Sequence, residues 1–309
     1  MSNHEQGAVQ TDSGAGIAGR FPDPGQLQLL VAPSVSREVD TARLRLLPIA
    51  CWRLDDVRFA FNSSLVTSEV STELQMLVNL REAHKKTDVV TGKTEYPPLS
   101  VFGHADPVGA DEYNKAISGR RAKAIYALLI ANTEPDKSVS LWREIAQAEN
   151  WGANERQTMR SPTGLADDTP DSDLFKAYLQ KLCPKELQLS PEDFVAQGTD
   201  LGGKGDYQGC GEFNPVLIFS KNKSAEFENG SNKAARNLAT APNRRVVALL
   251  FRVGSKIDPA KWPCPRSREG TSACTKRFWS DGERRRSTRQ QSIDREYAKT
   301  RDTFACRFL

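Results

Sequence analysis

The run RRVVALLF, at residues 244–251, constrains the fold more than any other stretch of the 309-residue sequence. After its two arginines the run is continuously apolar and includes the β-branched Val246 and Val247. Such a run is typical of a strand that is covered on both faces of a sheet. It therefore predicts a central strand, and a central strand needs partner strands on both sides.

Two strands that could pair with this central strand are predicted earlier in the sequence. In DDVRFAF the apolar side chains alternate at Val57, Phe59 and Phe61, which is the period of a half-buried strand. A second strand is predicted over residues 99–103, where two prolines introduce an apolar segment.

Helical patterns separate these strands. The segment TSEVSTELQMLVNLRE has apolar residues at i, i+4, i+7 and i+8, which predicts an amphipathic helix that begins at Thr67 or Ser68. After the second strand, we expect Asp111 to cap one short helical turn. Ser118 is expected to cap a longer helix with the apolar row Ala122, Ile125, Tyr126 and Leu129.

About 110 residues lie between this helix and the last strand, far more than a direct connection needs. LWREIAQAENW and DLFKAYLQKLC have helical apolar rows, and a loop rich in Pro, Asp, Thr and Gly separates them. We therefore predict a helical insertion at about 132–195, within an ordered domain at 39–252. Residues 1–38 are expected to be a disordered leader, and residues 253–309 a basic, cysteine-containing extension.

Composition excludes several classes of function. No run approaches the roughly 18 apolar residues that span a bilayer, and the N-terminus lacks the basic and apolar regions of a signal peptide. We therefore expect no membrane span. Residues 276–309 hold ten Lys/Arg against five Asp/Glu. A nucleic-acid patch would fit that cluster, but a solvated helix explains it more simply, and we expect no nucleic-acid partner.

The six cysteines bear on metals and disulfides. They include no CxxC pair and accompany only three histidines, so we expect no metal site and no other cofactor. Cys264 and Cys274 flank a turn-rich loop that could close as a disulfide, with Cys306 bonded to one of the remaining cysteines. The missing signal peptide argues against an oxidising compartment, so both possibilities stay open.

Four motifs carry a resemblance to a known family. FAFNSS, GHADPVGADEYNKAISGRRAKAI, GCGEFNPV and NRRVVALLF occur in that order. Together they resemble the OmpA-like peptidoglycan-binding domain of outer-membrane porin tails, peptidoglycan-associated lipoproteins and flagellar stator subunits. The resemblance covers about residues 55–131 and 196–252. It implies an α+β fold, a β-α-β-α-β sandwich that binds the stem peptide of the bacterial cell wall non-covalently.

The resemblance also implies that Asp106 and Arg121 bind diaminopimelate. The free end of this residue carries an ammonium and a carboxylate on one carbon, so its site needs one anionic acceptor and one bidentate cationic fork. Asp106 is expected to accept the ammonium, and Arg121 to bind the carboxylate. A structural ion pair between the two residues is the plainer alternative.

Further residues match the family near its pocket. Asn114 could hydrogen-bond the ligand or hold the loop, and both roles stay open. Phe61 and Asn62 match pocket-lining positions, although many members have an aspartate where this chain has Asn62. Arg244 and Arg245 match positions that are more often structural than in contact with the ligand.

The insertion and the tail depart from the family pattern. The combination is similar to OmpA-like proteins associated with type VI secretion spikes, which would make spike proteins partners. It would also imply delivery to the periplasm or cell wall by a non-classical machine. The chain could then act as an adaptor or cargo of a contractile injection apparatus. A cell-wall hydrolase is the less favoured alternative, and such an enzyme would need zinc ligands or a Cys/His pair. Cys210 matches a plain loop position, and we expect no catalytic residues.

Overall fold

A computed structural model describes residues 48–196, 206–213, 215–228, 230–257, 271 and 295–296. The predicted leader at 1–38 and most of the predicted extension at 253–309 lie outside the described residues. In the described part of the chain the β-strands are β1 Pro48–Asp55, β2 Lys86–Thr87, β3 Thr94–Glu95, β4 Leu99–His104, β5 Tyr207–Gly209, β6 Leu217–Ile218, β7 Arg245–Phe251 and β8 Arg295–Glu296. The α-helices there are α1 Ser71–Ala83, α2 Asp111–Leu129, α3 Pro135–Glu149, α4 Ala153–Thr163, α5 Asp171–Leu182, α6 Lys221–Glu228 and α7 Lys233–Thr240.

The main sheet has the strand order β1-β7-β4-β5. Strand β7 is antiparallel to both β1 and β4, and β4 is parallel to β5. Every residue of β7 is buried, as its continuous apolar sequence predicts. The predicted central strand and the α+β fold class are therefore confirmed. Strands β2 and β3 form one small antiparallel pair, and β6 and β8 form another.

The first strand lies earlier than predicted. The alternation at Val57, Phe59 and Phe61 indicated a strand there, but β1 ends at Asp55 and residues Asp56–Arg58 form a 3₁₀ turn. The pairing of β1 with β7 stops where Asp55 meets Arg245, the first residue of β7, so the chain turns at that point. Phe59 is buried, whereas Val57 and Phe61 are exposed. A short alternating pattern can therefore arise from a turn.

Helix α1 buries the predicted row, whereas α2 differs from the prediction. Instead of a short turn at Asp111 and a new helix at Ser118, one continuous helix runs from Asp111 to Leu129. Ser118 is buried inside it, donates a hydrogen bond to the Lys115 carbonyl (3.0 Å) and accepts one from the Gly211 amide (2.9 Å). Its hydroxyl thus joins the helix to the loop after β5 instead of capping a helix end.

Helix α2 lies directly on β4 and β5 because glycines form the contact. A Cβ added at Gly103 would lie 1.9 Å from the Ser118 carbonyl oxygen, and one at Gly209 would lie 2.6 Å from the Gly119 amide nitrogen. Real Cβ atoms do not approach backbone atoms so closely, so only glycine fits at both positions. The height of α2 above the sheet is therefore set by backbone contact.

The predicted helical insertion is confirmed. It contains α3, α4 and α5, and α4 includes residues of the segment that was expected to be a loop. Its apolar side chains join the main core, where Trp142 and Tyr178 are fully buried. The Tyr178 hydroxyl donates a hydrogen bond to the Val66 carbonyl (2.8 Å), and the Trp142 indole to the Ala124 carbonyl (3.2 Å). The insertion is thus bonded to the domain from which it emerges.

Candidate functional site

Four charged side chains form an alternating chain of ion pairs at one end of the sheet. Arg121 Nη1 donates to Asp56 Oδ1 (2.5 Å), and Arg244 Nε donates to Asp56 Oδ2 (2.8 Å). Arg244 Nη1 then donates to Asp106 Oδ2 (2.5 Å). Asp106 and Arg121 are therefore joined through two intermediate residues, in the order Arg121, Asp56, Arg244 and Asp106.

The sheet register explains why these residues meet. Arg245 is paired with Asp55 of β1 on one side and with His104 of β4 on the other. The end of β1, the end of β4 and the start of β7 therefore lie at the same edge. Asp56, Asp106 and Arg244 are each within two residues of that edge, and Arg121 reaches it from α2.

Burial strengthens this ion-pair chain. Asp106 is 6% exposed and Arg121 is 5% exposed, so water screens their charges only weakly. Burial by itself opposes the charge of Arg244, but hydrogen bonds and attraction from Asp56 and Asp106 outweigh it and raise the pKa of this guanidinium. Arg244, whose family position is more often structural, is thus the central cation of the site.

Arg121 and Asp106, the two ends of the ion-pair chain, can each form further hydrogen bonds with a ligand. Arg121 Nε donates to the Ser63 carbonyl (3.0 Å), and its guanidinium carbon lies 4.8 Å from the centre of the Phe59 ring. Within the described residues these contacts leave N–H groups on Nη1 and Nη2 of Arg121 unused. Asp106 Oδ1 accepts a single hydrogen bond there, from the Val108 amide (3.2 Å), and so retains acceptor capacity.

A side-chain hydroxyl and a side-chain amide both donate hydrogen bonds to Asp106. The Thr240 hydroxyl donates to Asp106 Oδ2 (2.7 Å). Asn114 Nδ2 donates to the Asp106 carbonyl (3.0 Å) and to Glu212 Oε2 (3.3 Å). In this arrangement Asn114 holds the loop, which is one of the two roles considered for it.

The remaining predicted residues lie at the rim of the site. Asn62 has a positive φ of 52°, and its side-chain oxygen accepts a hydrogen bond from the Tyr113 hydroxyl (2.5 Å). Phe61 is 95% exposed, so its ring is free to contact a ligand but contributes nothing to the core. A left-handed conformation is one that asparagine tolerates better than most residues, and it turns the chain between Phe61 and Ser63.

The insertion supplies a residue that sequence reasoning missed. Glu149, the last residue of α3, accepts hydrogen bonds from the Ser64 amide (2.8 Å), the Ser64 hydroxyl (2.7 Å) and the Ser63 hydroxyl (2.8 Å). It also accepts one from Arg120 Nε (2.7 Å). Burial opposes its charge, yet the hydrogen bonds prevail and lower the pKa of Glu149. Because Ser63 also accepts from Arg121, Glu149 supports the site indirectly.

Metal-binding groups and cysteines contribute little to the described part of this site. Among the described residues, no cluster of three or more His, Cys, Asp or Glu side chains could hold a metal ion. Cys183 directly follows α5 in the insertion and is buried, and this burial raises the pKa of its thiol to about 12. Cys264, Cys274 and Cys306 lie outside the described residues, so their disulfide pairing stays a prediction.

A comparison with known proteins supports the resemblance over part of the chain. No family model matches the sequence. The chain is 29% identical over 126 residues to Outer membrane protein A of Shigella flexneri. The matched segment is 40% of this chain and 31% of the relative, so the chain spans about a third of the relative's length. Sequence similarity and fold together support an OmpA-like domain. In the part of the chain that the structure describes, no helix is long and apolar enough to cross a membrane.

Proposed function

We propose that the protein binds peptidoglycan non-covalently through the diaminopimelate of the stem peptide, and that this binding holds it at the cell wall. The observation that carries the proposal is the ion-pair chain from Arg121 to Asp106. The similarity to Outer membrane protein A adds a second support, since that relative's name places it in the cell envelope.

The ends of the ion-pair chain match the ligand in sign. Arg121 ends the chain with a cation and Asp106 ends it with an anion. The free end of diaminopimelate has a carboxylate for Arg121 and an ammonium for Asp106. Asp56 and Arg244 can stay paired with each other at 2.8 Å while the ligand joins the two ends. Binding would thus close an open chain of alternating charges into a ring and leave each charge with opposite neighbours.

The rim suits the rest of the ligand. Diaminopimelate carries its zwitterionic end on a chain of methylene groups, and these need an apolar surface. The exposed ring of Phe61 and the ring of Tyr113 lie on the two segments that border the site, and the bond between Tyr113 and Asn62 joins these segments. We propose that the methylene chain passes over this rim.

The test is a pull-down with two kinds of purified wall. Peptidoglycan with diaminopimelate in its stem peptide should retain the protein, whereas peptidoglycan with lysine at that position should not, because lysine lacks the carboxylate for Arg121. Asp106→Asn and Arg121→Gln should each lose about tenfold to a hundredfold in affinity, since each removes a charge-assisted hydrogen bond from a desolvated site.

Matched control variants show whether a loss of binding comes from the site itself or merely from the removal of one charge. Asp55→Asn and Arg58→Gln remove the same charges at neighbouring positions that lie outside the ion-pair chain, and both should bind like the unaltered protein. Thermal unfolding shows whether each variant folds. Equal retention on both walls, or full retention by folded Asp106→Asn and Arg121→Gln, would contradict the proposal.

A role as adaptor or cargo of a type VI secretion apparatus stays a prediction, as does delivery to the periplasm. Both rest on the long insertion and the tail, and no contact among the described residues bears on either.

A further inference from the structure

A cavity next to Asp106 is lined by residues outside the ion-pair chain. Its volume is about 250 Å³, and its walls include Val108 and Thr240. Both of these residues hydrogen-bond Asp106, since the Val108 amide donates to Oδ1 and the Thr240 hydroxyl donates to Oδ2. The cavity therefore adjoins the candidate site but offers a ligand a different set of contacts.

Arg236, on α7, supplies a cation to this cavity. Its Nε is buried without a hydrogen-bond partner, and its guanidinium forms no ion pair within the part of the chain that the structure describes. A buried N–H without an acceptor is unfavourable, so an acceptor that a ligand brings would be stabilising. Asp106 does not supply that acceptor, because its carboxylate bonds Arg244 and Thr240.

The charges around the cavity favour a ligand with a single negative charge. Arg236 is the one cation among the described lining residues, and Glu228 is the one acid. Glu228 is exposed and forms no ion pair with Arg236, so water and salt screen its charge. The nearby carboxylate of Asp106 is neutralised by Arg244 at 2.5 Å. The cavity thus retains about one uncompensated positive charge.

The rest of the lining is largely apolar. Phe219 and Phe227 meet edge to face with ring centres 5.1 Å apart, and Pro107 and Val108 also line the cavity. An inorganic anion would leave this apolar surface in contact with water, whereas an organic anion with a carbon chain would cover it. The volume suits a small molecule, because it falls below the roughly 300–1,000 Å³ of pockets for larger ligands.

We propose that this cavity is a binding site for a small monocarboxylate with an apolar body, of the size of a short-chain fatty acid. Its carboxylate lies on Arg236, and its carbon chain packs against Phe219 and Phe227. A planar carboxylate matches the planar guanidinium fork in shape as well as in charge. The site is separate from the one proposed for diaminopimelate and does not depend on it.

The experiment titrates the full-length protein with butyrate and with butyramide, a neutral analogue of the same shape. Ligand-observed NMR measures both affinities at constant ionic strength, in a buffer without carboxylates. Butyrate should bind about tenfold more tightly than butyramide, because only butyrate forms charge-assisted hydrogen bonds with Arg236. Inorganic phosphate should bind more weakly than butyrate. Arg236→Gln should bind butyrate and butyramide alike.

Three further variants make the outcome specific to Arg236. Lys233→Gln removes a positive charge from an exposed position of the same helix, and it should keep the preference for butyrate. Arg236→Lys keeps the charge without the fork and should recover part of the preference. Arg121→Gln should keep the full preference, although Arg121 is the residue proposed to bind the carboxylate of diaminopimelate. Thermal unfolding shows whether each variant folds.

Three results would overturn the proposal. The first is equal binding of butyrate and butyramide by the unaltered protein, or binding of neither. The second is a preference for butyrate that survives in folded Arg236→Gln, and its loss in Arg121→Gln would then place the carboxylate at the diaminopimelate site. The third is phosphate binding as tight as that of butyrate, which would contradict the assigned class of ligand.

Discussion

The carboxylate of Glu149 accepts hydrogen bonds from both the amide and the hydroxyl of Ser64, a residue 85 positions earlier in the chain. This contact joins the end of α3 in the insertion to the loop that supports Arg121. The insertion is therefore part of the construction of the candidate site, in addition to any role as a separate surface.

Glu149→Gln should weaken both stability and wall binding. The change keeps the shape but places an amide among donors that need a carboxylate, so we expect a loss of about 1–3 kcal/mol in the free energy of unfolding. Binding to diaminopimelate-type peptidoglycan should also weaken, because the Ser63–Ser64 loop, whose Ser63 carbonyl accepts a hydrogen bond from Arg121, is held less firmly. Urea unfolding and pull-down measure the two effects. Glu144→Gln, on the same helix but in an exposed pair with Lys123, is the matched control and should change neither.

The same residue predicts a pH dependence. The pKa of Glu149 in the folded protein lies below the ordinary value of a glutamate, because hydrogen bonds to its carboxylate outweigh burial, so its contribution to stability is fully present above the unfolded-state pKa of about 4.3. That contribution is lost as the pH falls from there through the folded-state pKa. The difference in unfolding free energy between the unaltered protein and Glu149→Gln should therefore be largest near neutral pH and shrink in acid. A difference that grows on acidification would contradict the assigned direction.

Arg244→Gln should destabilise the protein by about 2–3 kcal/mol, somewhat less than the 3–5 kcal/mol typical of breaking a fully buried pair, because Arg244 is partly exposed. The substitution leaves Asp56 and Asp106 close together without the cation between them. Chemical denaturation checks the value. Arg252→Gln, just beyond β7 and exposed, should have little effect. Similar losses in both variants would show that the cation between the two aspartates is not what matters.

Gly103→Ala should prevent normal folding or cost more than about 3 kcal/mol, since the added carbon would overlap the Ser118 carbonyl of α2. Relaxation would require α2 to move away from the sheet, and Arg121 would move with it. Gly230→Ala is the control, because nothing lies within 4 Å of the added carbon there. Circular dichroism and thermal unfolding of the two purified variants give the comparison.

Sequence patterns predicted the elements whose signals are local. The continuous apolar run of β7 and the apolar row of α1 predicted their elements correctly, because the burial of each element leaves a pattern within its own short stretch of sequence. Strand β1 was missed because PIACWRLD mixes polar and apolar residues at an edge of the sheet, whereas the misleading alternation after it belongs to a turn. Ser118 resembled a helix cap, yet its hydroxyl serves a loop 93 positions away.

The candidate site shows the same division. Asp106 and Arg121 could be named from motifs that lie close together in the sequence. Asp56 and Glu149 could not, because their importance comes from partners that only the fold brings near. Asp56 bonds Arg244, which lies 188 positions away. No local spacing encodes such a contact.

The central position of β7 has a consequence for how the protein is made. Strand β1 pairs with β7 from Pro48 to Phe251, so nearly 200 residues must leave the ribosome before β1 gains its neighbour. Strand β4 also pairs with β7, and this pairing cannot form until β7 has been synthesised. During synthesis the chain therefore carries two strands with unsatisfied edges and an insertion whose apolar faces belong to an unfinished core, a state that is prone to aggregation. Nascent-chain folding should thus be abrupt and late, and chaperone demand should be highest shortly before β7 emerges.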